Sequence, residues 1–287
     1  MGASEVQGIV VVTGASTGLG AATARELAQR GFHVLAGVRR DRDADAIRRP
    51  SIEPLIIDIT QPDHIRALAD RVHGDPQGRP VRTLVNSAGI ALNAPLEVFP
   101  IDRWRRLFEV NLFGHVAVTQ TLLPALIRSK GRVINVSSVG GKIAMATYGP
   151  YAGTKFALEA ISDSLRREIS PFGVAVVVIE PGAVRTGMAD QAIATAQEVA
   201  STMTPEQSQR YNRMVHAIAA QAKSATASGL RAEVAAKVIA EAVMALKPRT
   251  RYTIGRDAAL LASLARILPD RLLDRIFEYA LLRYMPE

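Results

Sequence analysis

Cysteine is absent from the 287-residue chain. That excludes disulfides and thiolate metal sites. Aromatic residues make up only 5%, with a single Trp, and none are interleaved with basic runs as in single-strand nucleic-acid binders. No stretch of about 18 apolar residues offers a membrane span, and the polar start MGASEVQG lacks a signal-peptide pattern. The five His residues are scattered without metal-ligand spacing, so no metal is expected. Internal repeats, low-complexity tracts and linkers are also missing. A cytoplasmic protein with one domain over residues 1–287 is the expectation.

The net charge is +8, from 35 Lys and Arg against 27 Asp and Glu. The basic residues occur as short pairs such as Arg39-Arg40 and Arg48-Arg49, which argues against nucleic acid as a partner. A diffuse positive field instead suits a phosphate-bearing small molecule. A hydrophobic content of 48% is enough for one sizeable core.

What is present is an alternation of apolar, β-branched runs with helical patterns. Runs at 9–12, 33–38, 52–58, 83–85, 133–136, 174–180 and 251–254 read as strands, most of them apolar enough to be buried on both faces. Helical patterns run to residue 30, to about 72, and over 103–129, 151–167 and 231–246. The prediction is an α/β fold: a parallel sheet of about seven strands with helices on both faces. Residues 187–230 are rich in Ala, Gln, Thr and Ser and predict one or two helices acting as a substrate lid. Residues 257–287 place apolar positions at helical spacing on both sides of Pro269, which predicts an amphipathic helical extension. Its apolar face covers the domain's own core or a subunit partner; peripheral contact with a membrane surface is the alternative.

The chemistry gathers at strand ends. The organising stretch is GRVINVSSVGGKIAMATYGPYAGTK (131–155), in which Ser137 and Ser138 end a strand and Tyr151 and Lys155 open a helix. Residues four apart share a helix face. An ammonium beside a phenol makes an acid/base device, with the Tyr pKa lowered toward working pH. The first strand runs into TGASTGLG (13–20). There Gly14 permits a tight turn, Gly18 a close approach to a pyrophosphate and Gly20 close helix packing, and the helix N-terminus faces the phosphates. Dinucleotide folds end the second strand with a carboxylate for the ribose 2′-hydroxyl, or with an Arg for a 2′-phosphate. Here Arg39 stands at that place, favouring NADP(H) over NAD(H). Asp58 either reaches an adenine or caps the next helix. The small residues of Asn86-Ser87-Ala88-Gly89 leave room for a ligand. Asn111 interrupts an apolar helical stretch, as a buried amide bonding a neighbouring strand or as a helix break that positions a water. Pro181 and Gly182 turn the chain, and the Thr186 hydroxyl contacts a cofactor or forms an ST-turn.

Together, TGASTGLG (13–20), NSAG (86–89), Asn111, INVSS (134–138), YAGTK (151–155) and PG (181–182) resemble the short-chain dehydrogenase/reductase family, single-domain branch, over residues 9–254. Ser87 departs from the pattern, since many members carry a second Asn there. The resemblance implies a Rossmann-type doubly wound sheet and an NAD(P)-dependent oxidoreductase. It implies Tyr151 as general acid/base and Ser138 as the partner of the substrate oxygen. Lys155 would hold the nicotinamide ribose and depress the Tyr151 pKa, and Asn111 would hold a relay water. Implied cofactor contacts are Gly14, Ser16, Thr17, Gly18, Leu19, Gly20, Arg39, Asp58, Ile59, Asn86, Ala88, Gly89, Tyr151, Lys155, Pro181, Gly182, Val184 and Thr186. Hydride passes directly between nicotinamide and substrate, so no metal is required. VLAGVRR (34–40), FEVNLFGHV (108–116) and the C-terminal extension look most like members handling steroids, retinoids or other lipophilic alcohols and ketones. Family precedent implies a homodimer or homotetramer built on helices 103–129 and 151–167. The alternative is a non-catalytic dinucleotide-binding sensor or scaffold of the same fold. The joint presence of Ser138, Tyr151 and Lys155 favours the enzyme.

Overall fold

A run of four β-branched residues makes the central strand β1 (Ile9–Val12), and all four side chains are buried. They alternate, as strand geometry requires: Val10 and Val12 enter one core, Ile9 and Val11 the other. The structure is a computed structural model and describes residues 7–285. The polar start at 1–6, on which the signal-peptide expectation rests, lies outside the described residues.

Around β1 the sheet is completed by β2 (His33–Val38), β3 (Ile52–Ile56), β4 (Val81–Asn86), β5 (Arg132–Val136), β6 (Ala175–Pro181) and, late in the chain, Arg251–Ile254. The order is β3-β2-β1-β4-β5-β6 with 251–254 at the far edge, and every pairing in this sheet is parallel. Consecutive strands reverse their direction of travel across the sheet between β3 and β4, so loops after β1 and β4 part at its C-terminal edge. Such a switch point is where open α/β sheets bind ligands.

Helices cover both faces. On one lies α1 (Gly18–Gln29), whose Ala21, Ala24 and Leu27 pack into the core. On the other, α3 (Pro62–His73) contributes Ile65, Leu68 and Val72. Each such aliphatic side chain contributes roughly 1.5–3 kcal/mol on full burial. Between β2 and β3 the sequence pattern predicted no helix, yet α2 (Asp41–Ile47) forms there. It is short, Asp-rich in its first turn and anchored by Ala44 and Ile47 alone, so it carries no periodic signal.

The stretch expected as one helix over 103–129 is a rod with a defect. It comprises α4 (Ile101–Phe108), a π-helical turn (Glu109–Phe113) and α5 (Gly114–Ser129). By length and composition the rod is apolar enough to cross a membrane, but 56% of its most apolar window is buried. Val118, Leu122 and Leu126 pack it against the sheet. Next come a 3₁₀ turn (Val139–Gly141) and α6 (Gly149–Ile169).

The segment expected as a lid forms two helices. A short strand β7 (Val184–Arg185) leads into α7 (Gly187–Ser201) and α8 (Pro205–Ser228). Thr204 and Gln207 form a reciprocal capping box that starts α8. Strand β8 (Leu230–Arg231) then pairs with β7, so both ends of the lid are fastened at one place. α9 (Ala232–Met244) returns to the core before β9 (Arg251–Ile254). The extension is α10 (Arg256–Ile267) and α11 (Asp270–Leu282), broken at Pro269 as the sequence predicts.

Candidate active site

The turn after β1 depends on Gly14, whose φ is +68° and whose missing side chain lets the loop lie on Ala88. A Cβ there would come within 2.6 Å of the Ala88 Cα. Thr13 fastens the same two loops: its Oγ1 accepts from Ser87 N at 3.0 Å and Ala88 N at 3.2 Å. Thr17 caps α1 without a side-chain bond, and the first turn holds no acidic residue. The free N–H groups of α1 therefore face the cavity with nothing of their own to bind.

Arg39 lies just beyond β2, exposed on the cavity wall, and makes no hydrogen bond or ion pair among the described residues. Its neighbour Arg40 is engaged with Asp43 at 2.8 Å. Asp58 lines the wall opposite. One oxygen accepts from Thr60 N at 2.9 Å and Thr60 Oγ1 at 2.7 Å; it closes an Asx turn ahead of α3 and is not the α3 cap, which is Gln61. Burial acts to raise the Asp58 pKa. The Thr60 bonds, Arg106 and Arg39 outweigh it and hold the carboxyl below its ordinary range.

Two expected contacts stand elsewhere. Asn86 does not line the cavity. It is fully buried, and its amide donates to Thr119 Oγ1 and to Asn135 Oδ1, both at 2.9 Å. The register that pairs β4 with β5 sets Asn86 beside Asn135, so the polar end of the strand faces the helix layer; Ser87, Ala88 and Gly89 make the wall instead. Asn111 is also fully buried behind the wall. Its side chain accepts from Ile90 N and donates to Ile90 O, both at 2.9 Å, and donates to Thr154 Oγ1 at 3.1 Å. It thus couples the loop after β4 to α6 from within the π-helical turn.

His115 had no motif to reveal it. Its Nε2 lies 2.6 Å from the Ala88 carbonyl oxygen, the contact that assigns the proton to Nε2. Burial, with the charge of Lys155 adding to it against the Ala88 bond, pulls its pKa down to about 3. The imidazole is neutral.

Ser138 ends the segment after β5 and caps the 3₁₀ turn, its Oγ accepting from Gly140 N at 3.0 Å. Pro150 starts α6, which carries Tyr151 and Lys155 on one face. The Lys155 ammonium is buried, donates to the Val136 carbonyl at 2.9 Å and lies 5.8 Å from the Tyr151 ring centre. Burial lowers its pKa to about 8, with Glu159 one turn along opposing the shift. Tyr151 departs from expectation. Burial raises its pKa to about 12, the Ser138 hydroxyl lowers it only in part, and Tyr148 adds to the rise. Desolvation of the phenolate outweighs the neighbouring charge, because the ammonium is turned to Val136.

Pro181, Gly182, Val184 and Thr186 close the ring of loops. Thr186 caps α7, accepting from Met188 N at 3.4 Å. The space enclosed is a cavity of about 640 Å³. Ser16, Thr17, Gly18, Leu19, Gly20, Ile59, Ser138, Tyr151 and Lys155 all line it. Its other end runs between α7, α8 and α10, past Met188, Ala192, Ile218, Ala222 and Leu261.

The short chain dehydrogenase family model matches residues 8–197. The chain belongs to the short-chain dehydrogenase family. Human (Homo sapiens) retinol dehydrogenase 16 is 35% identical over 277 residues, spanning 93% of this chain and 86% of that protein. The NADPH-dependent 3-dehydrocapnine reductase of Ornithobacterium rhinotracheale is 33% identical over 275 residues, spanning 93% and 95%. A short-chain dehydrogenase from Streptomyces avermitilis has a TM-score of 0.76 at 27% identity, covering 99% of this chain and 98% of that one. This short-chain dehydrogenase is an NAD(P)-dependent oxidoreductase. Its residues fit a nicotinamide dinucleotide. The α1 N–H groups are uncapped by side chains, and a Cβ on Gly18 would narrow the gap to Thr186 Cγ2 to 3.1 Å.

Proposed function

We propose that this enzyme interconverts a carbonyl and an alcohol on a lipophilic substrate of the steroid, retinoid or fatty type. It uses NADP(H) in preference to NAD(H), and Tyr151 is its general acid/base. The observation that carries the reading is the position of Ser138, Tyr151 and Lys155 within one cavity. Glycine loops and an open helix N-terminus bound one end of it, and apolar side chains of α7, α8 and α10 bound the other.

When bound, the dinucleotide supplies or accepts the hydride. The protein's own part is to place and polarise. Ser138 Oγ holds the substrate oxygen. Tyr151 Oη gives that oxygen its proton in reduction and takes it back in oxidation. Burial keeps the Tyr151 phenol protonated at neutral pH, so it carries the proton that reduction requires. Lys155 holds positive charge near the phenol, and its pKa of about 8 leaves it largely protonated at neutral pH. Asn111 fixes the Ile90 wall and the start of α6.

The 2′-phosphate preference rests on Arg39, which among the described residues makes no ion pair and stands exposed on the cavity wall. A relative named as NADPH-dependent, at 33% identity, is consistent with it. Homo-oligomeric assembly belongs to the same proposal: Phe113, 56% exposed, and Phe156, 45% exposed, offer apolar surface on the helices expected at the interface.

The test is an NADPH-coupled screen of lipophilic ketones and aldehydes, with the reverse NADP⁺ screen of alcohols. Tyr151→Phe should lose at least about 10²-fold in kcat and keep its NADPH affinity. Arg39→Ala should weaken NADPH far more than NADH. Full turnover by Tyr151→Phe sinks the acid/base assignment, and equal losses of the two dinucleotides sink the preference.

A further inference from the structure

Five charged side chains meet beneath the active site and take no part in the chemistry above. Lys142 follows the 3₁₀ turn that Ser138 caps, four residues on in the same loop. Its Nζ lies 2.7 Å from Glu159 Oε2 and 3.5 Å from Glu180 Oε1. Glu159 stands on α6 one turn beyond Lys155, with its side chain 7% exposed. Glu180, 4% exposed, lies on β6 directly before Pro181 and Gly182. From β9, Arg251 reaches Glu159 at 3.1 Å, Glu180 at 3.3 Å and Asp163 at 3.0 Å. Thr253 Oγ1 completes Glu180 at 2.7 Å.

The elements joined are telling. One cation belongs to the Ser138 loop, one anion to the helix of Tyr151 and Lys155, and the other anion to the strand that leads into the cofactor-side turn. Ser137 N bonds the Ile179 carbonyl at the start of the loop, but beyond Ser138 the turn's bonds are short-range: Gly140 N to Ser138 Oγ, Gly141 N to Ser138 O, Lys142 N to Val139 O and Ile143 N to Val139 O. Gly141 sits hard against α6, where a Cβ would meet Ser137 Oγ at 2.7 Å and both Glu159 Cγ and the Lys155 carbonyl at 3.1 Å. Contact alone seats the loop but does not fix its register along the helix. A buried ion pair has strict demands on distance and direction, whereas apolar packing of similar volume often matches it in stability. Ions retained at this seam point to geometry as their contribution.

We propose that Lys142 is a positioning residue: through Glu159 and Glu180 it locks the Ser138 loop onto the helix of Tyr151 and Lys155 and holds the two hydroxyls in reacting register. Glu159, Glu180 and Arg251 are the frame it grips. The proposal rests on the assignment of Ser138 and Tyr151 to the reaction.

The experiment measures steady-state kinetics of the full chain with NADPH and the best carbonyl substrate, beside direct NADPH titration. Lys142 is one-quarter exposed, so Lys142→Met is placed to fold. It should lose roughly 10- to 100-fold in kcat, with NADPH affinity within about twofold of wild type. Lys142→Arg should recover most of the loss. The isosteric Glu159→Gln should lower kcat, and adding Lys142→Met to it should cost less than Lys142→Met costs alone, because the two changes share the Lys142–Glu159 contact while each also loses a contact of its own. Unchanged kcat in Lys142→Met overturns the proposal. So does a parallel fall of kcat and NADPH affinity, which marks general loosening. Tyr151→Phe separates the layers. Retained turnover there removes the site assignment and this proposal with it. An inactive Tyr151→Phe beside an unimpaired Lys142→Met removes only the lock.

Discussion

Burial, with the charge of Lys155 adding to it, makes protonating His115 inside the fold costly, and the bond its Nε2 donates to the Ala88 carbonyl offsets this only in part. The unfolded chain takes up this proton near pH 6.5, the folded one only near pH 3. The group's stability contribution is therefore fully present above about pH 6.5 and declines as pH falls through that window, by roughly 1.4 kcal/mol per unit. Urea denaturation between about pH 7 and about pH 5 should show a loss of about 2 kcal/mol from this group, and His115→Gln should remove that part of the slope. Equal slopes in the two proteins would contradict the assignment. The spacing of Tyr151 and Lys155 is legible in sequence; the direction of the Tyr151 shift is not. Its sign depends on desolvation and on where the ammonium points, and the Val136 carbonyl that accepts the Lys155 hydrogen bond lies on another element. Asn86 misleads for a related reason. It precedes a run of small residues, but the strand register turns it toward Asn135. Thr13 and His115 act on backbone atoms of Ser87 and Ala88, and backbone partners leave no mark in a motif.

The rod of α4, π-helical turn and α5 is read correctly in extent and incompletely in kind. Of the two readings of Asn111, the buried amide is the one its bonds describe. The amide is buried and bonded to the neighbouring Ile90 segment, and the helix does depart from α geometry around it. π-helical turns inside α-helices commonly mark functional positions. Asn111→Ala leaves the Ile90 N–H and carbonyl without this partner in a buried setting, at a cost of roughly 2–3 kcal/mol. Chemical denaturation should report that loss, with a lower kcat from the displaced Ile90 wall; a variant as stable and active as wild type would refute the coupling. The lid shows the opposite limit. Its two helices are predictable from composition, but the β7–β8 pair that fastens it involves two residues on each side, too few for any periodicity.

At the scale of the molecule, α7, α8 and α10 wall the end of the cavity away from the glycine loop. Arg103 of α4 pairs with Glu198 of α7 at 2.6 Å, and Glu97 takes Tyr211 Oη at 2.7 Å and Arg210 of α8. These are exposed bonds and individually weak, suited to a cover that opens. α10 forms cavity wall at Leu261. α11 has no buried residue and rests on α8, where Tyr284 reaches Ser224 at 3.3 Å. Removing residues after Pro269 should raise KM for bulky apolar substrates several-fold while sparing turnover of a small test carbonyl. Unchanged KM across substrate sizes, with unchanged assembly by light scattering, would rule out both roles for α11.

The sheet order has a further consequence, in the time domain. Arg251 belongs to the last strand of the sheet, and that strand pairs with β6. A ribosome delivers Ser138, Tyr151 and Lys155 about 100 residues before it delivers Arg251. The dinucleotide half, β1 to β5, can therefore assemble during synthesis, while the frame that Lys142 grips closes only when β9 arrives. A chain that terminates before β9 holds Ser138, Tyr151 and Lys155, yet lacks the Arg251 that binds Glu159, Asp163 and Glu180 together.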